Sequence, residues 1–131
     1  MQETIRVDRD LSEIRHVRAW MAGVLERAEV ADGLVDDVLL MVSELVTNVL
    51  RHTESAPEVQ VEVAAGRIRV EVADDDPTLP VERPADADPD LPGGWGLPVV
   101  HLLADEWGAD PSPSGGKTVW FTMRLDGRGR A

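Results

Sequence analysis

Hydrophobic positions recur along the chain with two distinct periods. Leu11, Ile14, Val17, Trp20, Met21, Val24 and Leu25 fall at helical spacing behind Asp10 and Glu13, which stand three apart as in a capping box, and predict a helix over about 11–28. Leu34, Val35, Val38, Leu39, Val42, Leu45, Val46 and Val49 form a second stripe of period near 3.6, predicting a helix over about 33–52 with Asp32 as its cap. The period then changes to two. Val59, Val61 and Val63, then Ile68, Val70 and Val72, alternate with polar residues on either side of Ala65-Gly66, the pattern of a hairpin with one buried face. Residues 3–8 predict a short first strand, and Trp107–Asp110 with Thr118–Leu125 a final pair. Gly93-Gly94-Trp95-Gly96 opens a helix over about 96–105, with Pro98 in its first turn, where proline is tolerated.

The resulting order is β-α-α-β-β-loop-α-β-β. Helices and hairpins cluster rather than alternate, which predicts an α+β fold, a two-layer sandwich with helices packed on one face of a mostly antiparallel mixed sheet. Trp20, Trp107 and Trp120 are assigned to the core, Trp95 to the surface, and Asp126–Ala131 to a frayed end. The stretch from Asp74 to Gly94 breaks the pattern. It holds Pro77, Pro80, Pro84, Pro89 and Pro92 together with Asp74, Asp75, Asp76, Glu82, Asp86, Asp88 and Asp90, and predicts an irregular acidic loop of the kind that serves function in a compact domain.

A length of 131 residues suits a single domain over 1–131. With 13 Lys+Arg against 25 Asp+Glu, the net charge is −12, which argues against broad contact with a phosphate backbone and against a basic membrane-surface role. No apolar run approaches the ~18 residues of a membrane span, and no signal peptide is read at the N-terminus. The chain has no cysteine, which excludes disulfides, thiolate metal sites and a cysteine nucleophile, and fits a cytoplasmic setting. His16 and His101 lie on predicted helices without companion metal ligands.

Candidate chemistry falls in four places. Glu44 and Asn48 stand four apart on one face of the second helix, on a polar stripe placed opposite its core, with Arg51 and His52 on the next turn. The amide oxygen of Asn is a hard ligand suited to Mg²⁺, and the carboxylate of Glu suits a general base; a solvated helix face is the plainer reading. Asp74 follows a buried strand where the chain leaves the sheet, placed to accept from an exocyclic amine or simply to start a turn. Gly94 and Gly96 stand at a helix start, where backbone N–H groups can approach phosphate, or form a hinge. Gly116-Lys117-Thr118 enters the last strand, with Thr118 a donor to phosphate or part of a plain hairpin.

Taken in order, these segments resemble the histidine-kinase-like ATPases, the GHKL superfamily with the Bergerat fold, and within it the small bacterial anti-sigma-factor serine/threonine kinases. The likeness spans about residues 5 to 125. Glu44-Leu45-Val46-Thr47-Asn48 with Arg51-His52 resembles the N box, Val72-Ala73-Asp74 the start of the first glycine box, Gly94-Trp95-Gly96-Leu97 the second, and Gly116-Lys117-Thr118 the terminal Gly-Thr element. The resemblance implies that Asn48 binds the Mg²⁺ bridging the phosphates and that Glu44 is the catalytic base. It implies that Asp74 recognises the adenine amino group, that Gly94 and Gly96 line the phosphates, that Leu97 belongs to the nucleotide site, and that Thr118 supports the nucleotide. Arg51, His52 and Lys117 are the nearby cations, and residues 75–93 the ATP lid. The first glycine box of the family reads Asp-x-Gly-x-Gly; here Asp76 and Thr78 take the glycine positions, with Pro77 between them.

Two functions follow from the resemblance. One is a kinase that phosphorylates an anti-sigma-factor antagonist and so regulates transcription by partner switching. The other is a nucleotide-binding regulatory or anti-sigma module with little or no turnover. ATP, Mg²⁺, a sigma factor or antagonist protein and a second copy of the chain are the implied partners, with no nucleic acid and no membrane.

Overall fold

The computed structural model describes residues 1–77 and 97–125. They form β1 (Gln2–Arg6), a 3-10 turn (Leu11–Glu13), α1 (Ile14–Arg27), α2 (Asp32–His52), β2 (Glu58–Ala64), β3 (Arg67–Asp74), α3 (Leu97–Leu103), β4 (Glu106–Pro111) and β5 (Lys117–Arg124). The element order matches the hydrophobic pattern. The strands make one five-stranded sheet in the order β1-β2-β3-β5-β4. Every neighbouring pair is antiparallel, so the mixed pairing expected from the sequence does not occur among the described residues. The fold is an open α+β sandwich. No described helix is long and apolar enough to cross a membrane. The acidic loop lies largely outside the described residues, as do Thr78, Trp95 and the segment 126–131.

Register explains the core. Val59 pairs with Val72 and Val72 with Val119; Val61 pairs with Val70 and Val70 with Phe121; Ile68 pairs with Met123. All are buried, forming rows of apolar side chains across three strands on one face of the sheet. Val17, Met21, Val24 and Leu25 of α1, and Leu34, Val38, Met41, Val42, Leu45, Val46 and Val49 of α2, are buried against the same core. Each such side chain contributes about 1.5–3 kcal/mol on leaving water, which is why two amphipathic helices and one sheet face suffice to hold the fold.

The opposite sheet face is polar, and Trp120 lies there rather than in the core. Period two places it beside Glu71 and Gly108, out of phase with Val119 and Phe121. Its indole covers Gly108, packs under the Arg69 guanidinium at 4.4 Å, and donates through Nε1 to Asp110 Oδ2 at 3.0 Å. Trp20 and Trp107 are partly buried against the core as the pattern predicts.

Local ends have identifiable causes. Asp10 accepts from the Ser12 N–H at 2.9 Å, which holds its carboxyl below the usual carboxylate range. Ala31, not Asp32, is the N-cap of α2, and it makes no side-chain cap; Asp32 sits in the first turn, where its charge favours the helix dipole. Between β2 and β3 the turn residues Ala65 and Gly66 have φ of 54° and 76°, the left-handed pair that matches the twist of a two-residue hairpin.

Candidate functional site

β3 ends at Asp74 and β5 begins at Lys117, and the sheet register sets these two residues opposite each other. Alternation from Val72 and Val119 turns both side chains toward the helices, so a carboxylate and an ammonium end the apolar rows. Gly116 makes the approach feasible: a Cβ there would stand 1.9 Å from the Asp74 carbonyl oxygen, far inside contact distance. The Lys117 side chain is 0% exposed and that of Asp74 1%. Lys117 Nζ lies 3.0 Å from Asp74 Oδ1 and donates to it, lies 2.9 Å from Oδ2, and donates to the Asp76 carbonyl at 3.1 Å. Oδ1 also accepts from the Asp76 N–H at 2.8 Å. Oδ2 touches the ammonium but accepts no aligned hydrogen bond among the described residues, so this oxygen of a buried carboxylate retains acceptor capacity.

Asp74 borders a cavity of about 10 Å³, room for roughly one water. Its walls are Leu45 and Val49 of α2, Val72 of β3, Leu97 of α3 and Val119 of β5; its polar groups are Asn48, Asp74 and Lys117. Leu97, the first residue of α3, is 1% exposed.

Asn48 belongs to this cavity and not to an outward polar stripe. It stands three residues from Leu45 and next to Val49, within the buried arc of α2, and is only 5% exposed. Its Nδ2 has no hydrogen-bond partner among the described residues. A buried orphan of this kind costs about 1–3 kcal/mol, which marks a position kept for something other than stability. Glu44, one turn earlier, is half-buried. Mg²⁺ fits this donor set. The ion keeps several waters and takes one or two protein oxygens plus substrate phosphates, so the Asn48 amide suffices, and no cluster of three or more acidic or His ligands is needed or found among the described residues.

The remaining sequence-derived residues divide. Lys117 and Leu97 join Asn48 and Asp74. Arg51 and His52 are exposed on the last turn of α2, where positive charge suits the helix C-terminus, and do not line the cavity. Thr118 faces the opposite side of the sheet, paired with Ala73 and Asp110, with its Oγ1 3.1 Å from Ser112 Oγ. Gly94 and Gly96 lie outside the described residues, as does most of the lid assigned to 75–93.

Two residues that the sequence does not single out hold the site's edges. Arg9 donates through Nη2 to the Leu50 carbonyl at 3.0 Å and through Nη1 to the Ser55 carbonyl at 2.6 Å, closing the end of α2 from a distant segment. Buried Ser55 accepts from the Asp75 N–H at 2.9 Å, fastening the exit of β3 to the segment after α2. Neither contact has a local signature, because each joins residues at least twenty positions apart.

The family profile of the histidine kinase-like ATPase domain matches residues 7–123. Among solved structures, the RsbU and RsbW domains of Rv1364c from Mycobacterium tuberculosis align with a TM-score of 0.74 at 23% identity, over 95% of this chain and 32% of that one. The blue-light activated histidine kinase of Erythrobacter litoralis EL346 aligns with a TM-score of 0.56 at 25% identity, over 76% of this chain and 33% of that one. The chain thus spans about a third of the length of either structure. No curated protein matches it in sequence.

Proposed function

Because the chain belongs to the histidine kinase-like ATPase domain family, we propose that its ATP site is the cavity between α2, β3 and β5, and that it serves a protein serine/threonine kinase of the anti-sigma-factor type. The observation that carries this reading is the buried Asp74 carboxylate, one oxygen of which accepts no aligned hydrogen bond among the described residues, lining an apolar-walled cavity together with Lys117 and the Asn48 amide. Apolar walls suit the faces of a purine, and an ionised acceptor at the closed end suits an exocyclic amine.

In this reading Asp74 Oδ2 accepts from the adenine amino group, and Leu45, Val49, Val72 and Val119 exclude water from the ring. Asn48 would hold Mg²⁺ through its amide oxygen, and the ion would supply charge neutralisation on the phosphates. Glu44, half-buried one turn away, accepts the proton of the attacking serine hydroxyl. The hydroxyl oxygen then forms its bond to the γ-phosphorus while the bond to the β-phosphate oxygen breaks, and ADP leaves. The motif order supports an anti-sigma-factor antagonist as the substrate protein, with partner switching as the outcome. A second reading, nucleotide binding without turnover, is favoured by Asp76 standing where the family carries glycine and by the closed state of the cavity.

Calorimetric titration with Mg²⁺-ATP tests the site: the wild type is expected to bind saturably, and Asn48→Ala to lose tenfold or more of that affinity. Transfer of labelled γ-phosphate to a candidate antagonist protein separates the two readings. Loss of transfer in Glu44→Ala with binding retained supports the kinase; binding with no transfer by the wild type supports the regulatory module. A folded wild type that binds no Mg²⁺-ATP refutes both.

A further inference from the structure

We propose that Lys117 is a specificity-determining residue of the base pocket, reading the ring nitrogen N1 of a 6-aminopurine while Asp74 reads the 6-amino group. The inference rests on the preceding reading only in placing the base at Asp74. It is carried by strand parity, burial and the geometry of the ammonium.

Parity comes first. Lys117, Val119, Phe121 and Met123 occupy one face of β5, and Thr118, Trp120, Thr122 and Arg124 the other. The residue of the Gly116-Lys117-Thr118 element that meets the cavity is therefore the lysine, and the threonine hydroxyl engages Ser112 on the far side of the sheet.

Burial comes second. A lysine with 0% side-chain exposure requires a reason beyond solvation, since removing an ammonium from water is costly unless it is paired. The pairing found serves the pocket as well as the lysine. Nζ lies 3.0 and 2.9 Å from the two Asp74 oxygens, so a donor-bearing cation and a carboxylate acceptor stand side by side on an apolar-walled cavity.

Chemical matching comes third. The edge of adenine presents an N–H donor at its 6-amino group beside an acceptor at N1, the complement of Asp74 beside Lys117. Guanine and hypoxanthine present a carbonyl at position 6 and an N–H at position 1, which in the same pose sets acceptor against carboxylate and donor against ammonium. A buried site built to pair polar groups rejects a ligand that leaves them unpaired more strongly than an apolar pocket rejects a misfit of shape. On base entry Nζ keeps Asp74 Oδ1 and turns the N–H given to the Asp76 carbonyl toward N1.

The test is calorimetric titration of the full chain, with Mg²⁺, against ATP, 1-deaza-ATP and inosine triphosphate. A hydrogen bond from a charged donor corresponds to about tenfold or more in affinity. The wild type is expected to prefer ATP over 1-deaza-ATP by at least about tenfold, and to reject inosine triphosphate more strongly still. Lys117→Met, of similar reach but without a donor, is expected to bind ATP and 1-deaza-ATP within about twofold. Where Lys117→Met does not give a folded circular-dichroism spectrum, Lys117→Gln takes its place. Its shorter neutral amide still satisfies Asp74, and it is expected to hold the preference below about threefold. Equal binding of ATP and 1-deaza-ATP by the wild type overturns the assignment of Lys117 alone, as does an unchanged preference in a folded variant. A wild type that binds no nucleotide overturns the proposed function with it.

Discussion

Lys117→Met strips the cation from a carboxylate that has almost no access to water. At about 3 Å and an effective dielectric of about 20, the attraction between unit charges is roughly 5–6 kcal/mol. That gross figure is offset by the desolvation of both ions, but deleting one partner restores neither hydration shell. The expected loss is therefore near the upper range for point variants, about 3–5 kcal/mol. For a chain of this size each kcal/mol moves the melting temperature by roughly 3–5 °C, so a fall of about 10–20 °C is expected. Asp74→Leu alone strands the ammonium instead and carries a similar loss. The double variant Asp74→Leu/Lys117→Met replaces the pair by apolar groups of comparable volume. Its deficit should fall to about 1 kcal/mol, the Asp76 N–H having lost its acceptor Oδ1. Urea unfolding of the four proteins gives the coupling directly, and about 3 kcal/mol or more is expected. Single variants within about 1 kcal/mol of wild type, with additive effects in the double, would show that the two charges do not meet in the interior and would remove the physical basis for the pocket.

Two glycine positions and one turn residue give further checks. Gly116→Ala forces a Cβ onto the Asp74 carbonyl, so the end of β3 and the start of β5 must part; a loss of about 2–4 kcal/mol is expected in urea unfolding, with nucleotide affinity reduced as Asp74 and Lys117 separate. Gly33→Ala, in the first turn of α2 with nothing within 4 Å of the added carbon, is the control and is expected to gain up to about 1 kcal/mol with affinity unchanged. Ala65→Asn puts a residue that tolerates positive φ at a turn position with φ of 54°, and is expected to raise the melting temperature by a few degrees, corresponding to about 0.5–1 kcal/mol; a fall would contradict the turn geometry.

Period and punctuation carried most of the architecture. The helix of 33–52 and the hairpin around Ala65-Gly66 are readable because each buries one face and each face repeats at a fixed interval. Strand order is not readable in that way, since β5 lies between β3 and β4 and its pairing with β3 joins residues some fifty positions apart. The residue types at the site are legible in the sequence; the directions of two of its side chains are not, and for the same reason. Asn48 was set on a polar stripe because it is polar, although it stands three residues from Leu45 and beside Val49, at an angle that belongs to the buried arc. Thr118 offers the hydroxyl expected of a donor, although Val119, Phe121 and Met123 put Lys117 on the inward phase. In each case the period pointed inward and the side chain's polarity argued outward. Polarity prevails only when the interior offers no partner. For Lys117 the partner is Asp74, 43 positions away and adjacent only once β3 and β5 are in register; for Asn48 none of the described groups satisfies Nδ2. A polar residue on the buried phase of a strong amphipathic pattern is thus a sign of a missing partner, and where the protein itself does not supply one, a ligand is the candidate. Lys117 finds its partner within the fold, in Asp74, whereas the Asn48 Nδ2 finds none among the described residues.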